Sequence, residues 1–297
     1  MRGIAFIAIF CVVICSCSRA PTGATDVTSG RNGERLWVVV PGGRLRAEAY
    51  QSQTSSEHPT LIVVLHGDLF DPAPSYQYAF AQVVAQGADA PILPEAVRTR
   101  LRDIPPKKDV VAVGILRPGY VDGSGERSDG DRGTATLDNY TPEVVDTISS
   151  AIGRLKAQYS AGRVILVGHS GGPAISADIL GRHPEAADGA LLVACACDPD
   201  NIRIDMSKTR PLPAWKGPTR SVKPMELVQG IRPDVKVRMV VGEADDTAPV
   251  KYSQAYADTL QSRGVSVHLT VAPGLGHNIL LRPVVFEELT ALLQEVR

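Results

Sequence analysis

From Arg35 onward, short apolar runs rich in β-branched residues alternate with stretches whose apolar residues return every three or four positions. The runs are Leu36 to Val40, Leu45 to Tyr50, Leu61 to Leu65, Val110 to Ile115, Val164 to Val167, Ala190 to Ala194, Val235 to Val241 and Val265 to Val271. Several are apolar throughout, which suits strands buried on both faces of a parallel sheet. The first two are joined by Pro41-Gly42-Gly43, a turn that predicts an antiparallel hairpin. Among the helical stretches, Thr141 can cap a helix with Pro142 at its first position, placing Val144, Val145, Ile148, Ile152 and Leu155 on one face. Ala174 to Leu180 is helical, and Val285, Phe286, Leu289, Leu292, Leu293 and Val296 form a last apolar stripe. The pattern predicts an α/β fold, a mostly parallel doubly wound sheet opened by an antiparallel hairpin. Residues 198–233 carry six prolines, too broken for a domain, and predict a small cap over one sheet edge.

The first 34 residues do not fit this alternation. Arg2 precedes an apolar run from Ile4 to Ile14, followed by small residues, which is the plan of a secretory signal. Eleven apolar residues are short of the ~20 needed to span a bilayer. Ile14-Cys15-Ser16-Cys17 resembles a bacterial lipobox, with residues 1–16 removed and Cys17 lipidated. Cleavage after Ala20 and an uncleaved anchor are the rival readings. Polar residues 17–34 read as a flexible tether, leaving 35–297 as a single folded domain of an exported, membrane-anchored or otherwise periplasmic or secreted protein.

Composition narrows the classes of partner. Lys+Arg 31 against Asp+Glu 32 gives a net charge of −1 with no basic block, which argues against nucleic acid. Aromatics at 5% argue against a carbohydrate-binding or base-stacking surface. The expected partner is a small-molecule or short-peptide substrate, with the membrane engaged through the lipid anchor alone. Cys195 and Cys197 end an apolar run, where a cross-link between residues two apart on one strand face would need distorted geometry; they read as small buried side chains. No His or Cys cluster predicts a metal site, and no cofactor is expected.

The chemistry-bearing residues gather at predicted strand ends. Val164 to Val167 runs into Gly168-His169-Ser170-Gly171-Gly172 and then a helix, the strand, turn and helix that place a G-x-S-x-G serine at a sharp apex. A serine hydroxyl needs a base and an orienting acid. Gly242-Glu243-Ala244-Asp245-Asp246 follows one later strand, and Gly274-Leu275-Gly276-His277 another. His169 reads as an elbow filler rather than a second base. Asn139-Tyr140-Thr141 spells a glycosylation acceptor, which a bacterial lipobox makes irrelevant.

These three motifs, in this order, resemble the α/β-hydrolase superfamily from about Leu36 to the end. The resemblance implies an α/β-hydrolase fold with Ser170 as nucleophile, Asp245 as acid and His277 as base; Glu243, Asp246 and Asp198 are rivals for the acid. His66-Gly67-Asp68 resembles the superfamily's oxyanion loop, so the amides of Asp68 and Gly171 are the expected oxyanion donors, with Leu69 as runner-up to Asp68. A carboxylate there must turn away or bind a cationic substrate group. Arg117-Pro118-Gly119-Tyr120 resembles a loop many members carry, which implies that Tyr120, together with Leu69, lines the substrate pocket. The implied activity is a serine hydrolase acting on an ester or related acyl bond through an acyl-enzyme. An exopeptidase or amidase of the same fold, with Asp68 on a free amine, and a non-catalytic binding member are the alternatives.

Overall fold

The computed structural model describes residues 26–30, 33–68, 76–88, 93–217 and 219–296. The expected signal, Cys17 and Leu69 lie outside the described residues. Among the described residues nine strands form one sheet: β1 (Asp26–Gly30), β2 (Gly33–Val40), β3 (Gly43–Gln51), β4 (Thr60–Leu65), β5 (Val110–Ile115), β6 (Arg163–His169), β7 (Gly189–Val193), β8 (Lys236–Gly242) and β9 (Ser266–Ala272). Their order is β1-β2-β3-β5-β4-β6-β7-β8-β9. The first three are antiparallel, with Val40 opposite Gly43 across the hairpin turn, and β4 to β9 are parallel. The expected tether is corrected in part, because Asp26–Gly30 pairs with β2 as an edge strand. Edge pairing uses main-chain groups and leaves no apolar period to read.

Strand residues divide by alternation between two cores. Leu61, Val63, Leu65, Val164 and Leu166 point to one face, covered by α3 (Pro142–Gln158) and α4 (Gly171–Arg182). Ile62, Val64, Ile165 and Val167 point to the other, under α1 (Tyr76–Gln86), α2 (Glu95–Leu101) and α8 (Pro283–Glu295). The Thr141 side chain accepts the Val144 amide, and Pro142 opens α3, as the capping pattern predicts.

After β4 the chain builds β5 on one side of it and β6 on the other, so direction reverses at β4. Such a reversal leaves a crevice at the carboxyl ends of the parallel strands. Residues 198–233 include α5 (Pro199–Thr209), a 3₁₀ turn at Pro213–Trp215 and α6 (Pro224–Leu227). α5 is a regular helix where prolines predicted broken structure, because Pro199 occupies its first turn, where no amide is needed. The remaining helix is α7 (Val250–Ser262).

Candidate active site

Ser170 follows β6 directly and stands at the N-cap of α4 with φ +62° and ψ −106°, a conformation that side chains rarely adopt. Close neighbours hold it there. The Ser170 amide donates to the Val193 carbonyl at 3.0 Å, and its own carbonyl accepts the Ala196 amide at 3.0 Å. Glycines make the turn possible by close approach: a Cβ on Gly168 would collide with the Pro173 nitrogen, and one on Gly67 would lie 2.5 Å from the Ser170 Cβ.

The loops after β8 and β9 bring Asp245 and His277 to this serine. His277 Nε2 lies 2.9 Å from Ser170 Oγ, and His277 Nδ1 lies 3.0 and 2.9 Å from the two Asp245 carboxylate oxygens. A carboxylate can only accept, so Nδ1 carries the proton and Nε2 is free to receive the serine hydroxyl hydrogen. Asp245 also accepts the amides of Thr247 and Ala248. The rival acids are placed elsewhere: Asp246 is 76% exposed at its side chain against 0% for Asp245. Glu243 accepts the Gly274 amide, and Asp198 caps α5.

His169 is fully enclosed, and burial, reinforced by the nearby His277, pushes its pKa down to about 4. Its Nε2 donates to the His277 carbonyl at 2.9 Å. Its Nδ1 faces Tyr76 Oη, which accepts the Gly67 amide at 2.6 Å. A neutral His169 thus braces the histidine loop against the loop after β4.

Asp68 follows β4 and lines the cavity that holds Ser170, and Gly171 opens α4, where first-turn amides have no partner within the helix. The Asp68 carboxylate takes four donors: Arg117 Nη1 at 2.9 Å, Tyr120 Oη at 2.9 Å, the Leu137 amide at 2.6 Å and Tyr140 Oη at 3.0 Å. Burial opposes the Arg117 charge, but Tyr120, Asp68 and Tyr140 outweigh it and raise its pKa. The expectation for Tyr120 is corrected: it is 2% exposed, stacked edge-on against His66, and its hydroxyl is spent on Asp68 rather than on a pocket.

The cavity over Ser170 and His277 has a volume of about 380 Å³. Its walls come partly from the expected cap over 198–233, through Ile202 and Met206 on α5 and Trp215, and partly from residues that no motif singles out: Ala135 and Leu137 after β5 and Ala196 after β7. Arg210 and Asp246, paired at 3.0 Å, stand at its rim. Arg203, buried on α5, ties the two wall segments together through Thr136 and the Ala214 carbonyl.

Cys195 and Cys197 form a disulfide, Cα to Cα 5.1 Å, against the reading of two free buried side chains. That reading placed them on a strand. β7 instead ends at Val193, and Ala194 at φ +52° turns the chain so that the two sulfurs meet. Among the described residues no cluster of His, Cys, Asp and Glu could hold a metal, and no helix is long and apolar enough to cross a membrane.

A family profile described as serine aminopeptidase, S33, matches residues 121–238, which include Ser170 but neither Asp245 nor His277. Among solved structures, Est1E from Butyrivibrio proteoclasticus with ferulic acid bound superposes at a TM-score of 0.60, with 16% identity over 88% of this chain and 98% of that one. The chain has the α/β-hydrolase fold. Esterase PE8 gives a TM-score of 0.54 at 21% identity over 85% of this chain and 99% of that one. The acylaminoacyl peptidase of Pyrococcus horikoshii gives 0.60 at 14% identity, and there this chain, covered over 89%, spans 40% of the larger protein. No curated protein matches the sequence.

Proposed function

We propose that the protein is a serine hydrolase that cleaves an ester or related acyl bond through an acyl-enzyme. The observation that carries this reading is the hydrogen-bonded line from Ser170 Oγ through His277 to Asp245. His277 takes the hydroxyl proton as Ser170 attacks the acyl carbon, and Asp245 offsets the charge that the imidazole gains. The amides of Asp68 and Gly171 hold the oxyanion. His277 then protonates the leaving group, and water, deprotonated in turn by His277, releases the acid.

Ester rather than free-amine recognition is supported by the cavity lining. An exopeptidase needs an unengaged carboxylate for the substrate ammonium, and the Asp68 carboxylate already has four donors. The test is labelling by a fluorophosphonate probe, followed by turnover of p-nitrophenyl esters of graded acyl length beside aminoacyl anilides. Wild type should be labelled and prefer esters, and Ser170→Ala should fold, resist labelling and show background turnover. Labelling of Ser170→Ala at another serine would overturn the assignment. The proposal extends to location: Cys17 carries a lipid, so the hydrolase works tethered to a membrane surface.

A further inference from the structure

An acid in the oxyanion loop poses an electrostatic problem, because a carboxylate beside a developing oxyanion raises the energy of the state that the loop should stabilise. The side chains around Asp68 resolve it. Arg117, buried and 2.9 Å away, neutralises the charge. Tyr120, Tyr140 and the Leu137 amide occupy the remaining acceptor sites of the carboxylate. One of these donors also touches the other half of the oxyanion site. The Tyr140 hydroxyl lies against the backbone of Gly171, so that a Cβ on Gly171 would collide with it, and Arg117 Nη1 would lie 3.3 Å from the same Cβ.

We infer that Tyr140 is a positioning residue whose hydroxyl, wedged between the Asp68 carboxylate and the Gly171 backbone, fixes the spacing of the two amides that receive the oxyanion. The inference rests on the hydrolase reading and adds a residue that the triad and elbow motifs do not contain. Asp68 and Gly171 come from different strand ends, β4 and β6, and each amide depends on its own loop for direction. A contact common to both converts two independent loops into one preorganised pair. Tyr140 is itself anchored: its amide donates to Ser221 Oγ at 2.9 Å, and its carbonyl accepts the Val222 amide at 2.8 Å. The cap segment therefore holds the clamp from behind.

Tyr140→Phe keeps the ring and removes the one atom that makes both contacts. It should lower kcat about tenfold, less than outright loss of an oxyanion donor, with KM changed less than twofold and thermal stability near wild type. Affinity for an alkyl boronic acid, whose tetrahedral adduct fills the oxyanion site, should weaken by the same factor as kcat/KM. Asp68→Asn should also lower kcat, and the double variant should lose no more than the worse single one, since both act through one contact. A Tyr140→Phe enzyme with wild-type kcat and boronate affinity, or losses that simply multiply in the double variant, would overturn the clamp. Fluorophosphonate labelling of wild-type Ser170 separates the two readings: without it the hydrolase reading fails, and with it a kinetically silent Tyr140→Phe sinks the clamp alone.

Discussion

At the scale of single residues the site turns on which carboxylate faces His277. Asp245 and Asp246 are adjacent and chemically identical, yet one is enclosed beneath the imidazole and the other pairs with Arg210 in solvent. Asp245→Asn should therefore lower turnover by roughly 10³- to 10⁴-fold by favouring the wrong tautomer of His277. Asp246→Asn should change it by less than tenfold, and steady-state kinetics on one p-nitrophenyl ester will separate them. Ser170, Asp245 and His277 can be picked out in the sequence because each stands beside glycines just past an apolar strand run, and the structure brings the three together. Tyr120 was misread because a motif reports that a side chain is near the site, not whether its hydroxyl points into the cavity or into the wall. The Cys195–Cys197 bond was misread for a similar reason, since one residue in a left-handed conformation, Ala194, decides whether the flanking side chains diverge or meet.

At the scale of elements, every strand from β2 to β9 stands where an apolar run predicts it; the signal is uninterrupted from β4 to β7, which are buried on both faces, and the half-exposed edge strand β9 is marked by its β-branched residues instead. α1 gave no such signal. Its residues from Gln77 to Ala85 are buried all round, so no apolar stripe marks it as a helix. α3 is the opposite case, with a capped start and one buried face, and its stability can be tested at the cap. Thr141→Ala removes the acceptor for the Val144 amide and should cost about 1 kcal/mol. Urea unfolding should show a lower midpoint at unchanged slope. Because α3 follows directly from Tyr140, a comparison of Thr141→Ala with Tyr140→Phe also separates loss of helix stability from loss of turnover.

At the scale of the whole molecule, two buried groups shape stability against pH in opposite senses. His169 is held neutral with a pKa of about 4 against an ordinary 6.5, so as pH falls between those values the unfolded chain gains a proton that the folded one refuses. Stability should drop by about 3 kcal/mol across that window and level off below it. Asp178, on α4, has both carboxylate oxygens enclosed without a hydrogen-bond partner, and burial raises its pKa well above 3.8, with Arg182 opposing weakly. There the folded state keeps a proton that the unfolded chain releases, so stability falls as pH rises above about 4. Asp178→Asn should match wild type in acid and exceed it in melting temperature near neutrality, as differential scanning calorimetry at a series of pH values will read. The proposed anchor is a property of the full chain: Cys17→Ser should move the protein from the membrane fraction to the soluble one or stall it as a precursor. A soluble wild type whose N-terminus is Pro21 would count against the anchor. The disulfide bears on the same question by a different route. A ring of three residues removes little chain entropy, so the bond acts on the corner between β7 and α5 rather than on global stability. Both sulfurs are fully enclosed once the domain folds, beyond the reach of thiol exchange. The oxidation state adopted while the chain is still open is then kept, so the pair works as a time stamp: two thiols record folding among cytoplasmic reductants, one bond records folding after export, and the mass of the isolated protein distinguishes them.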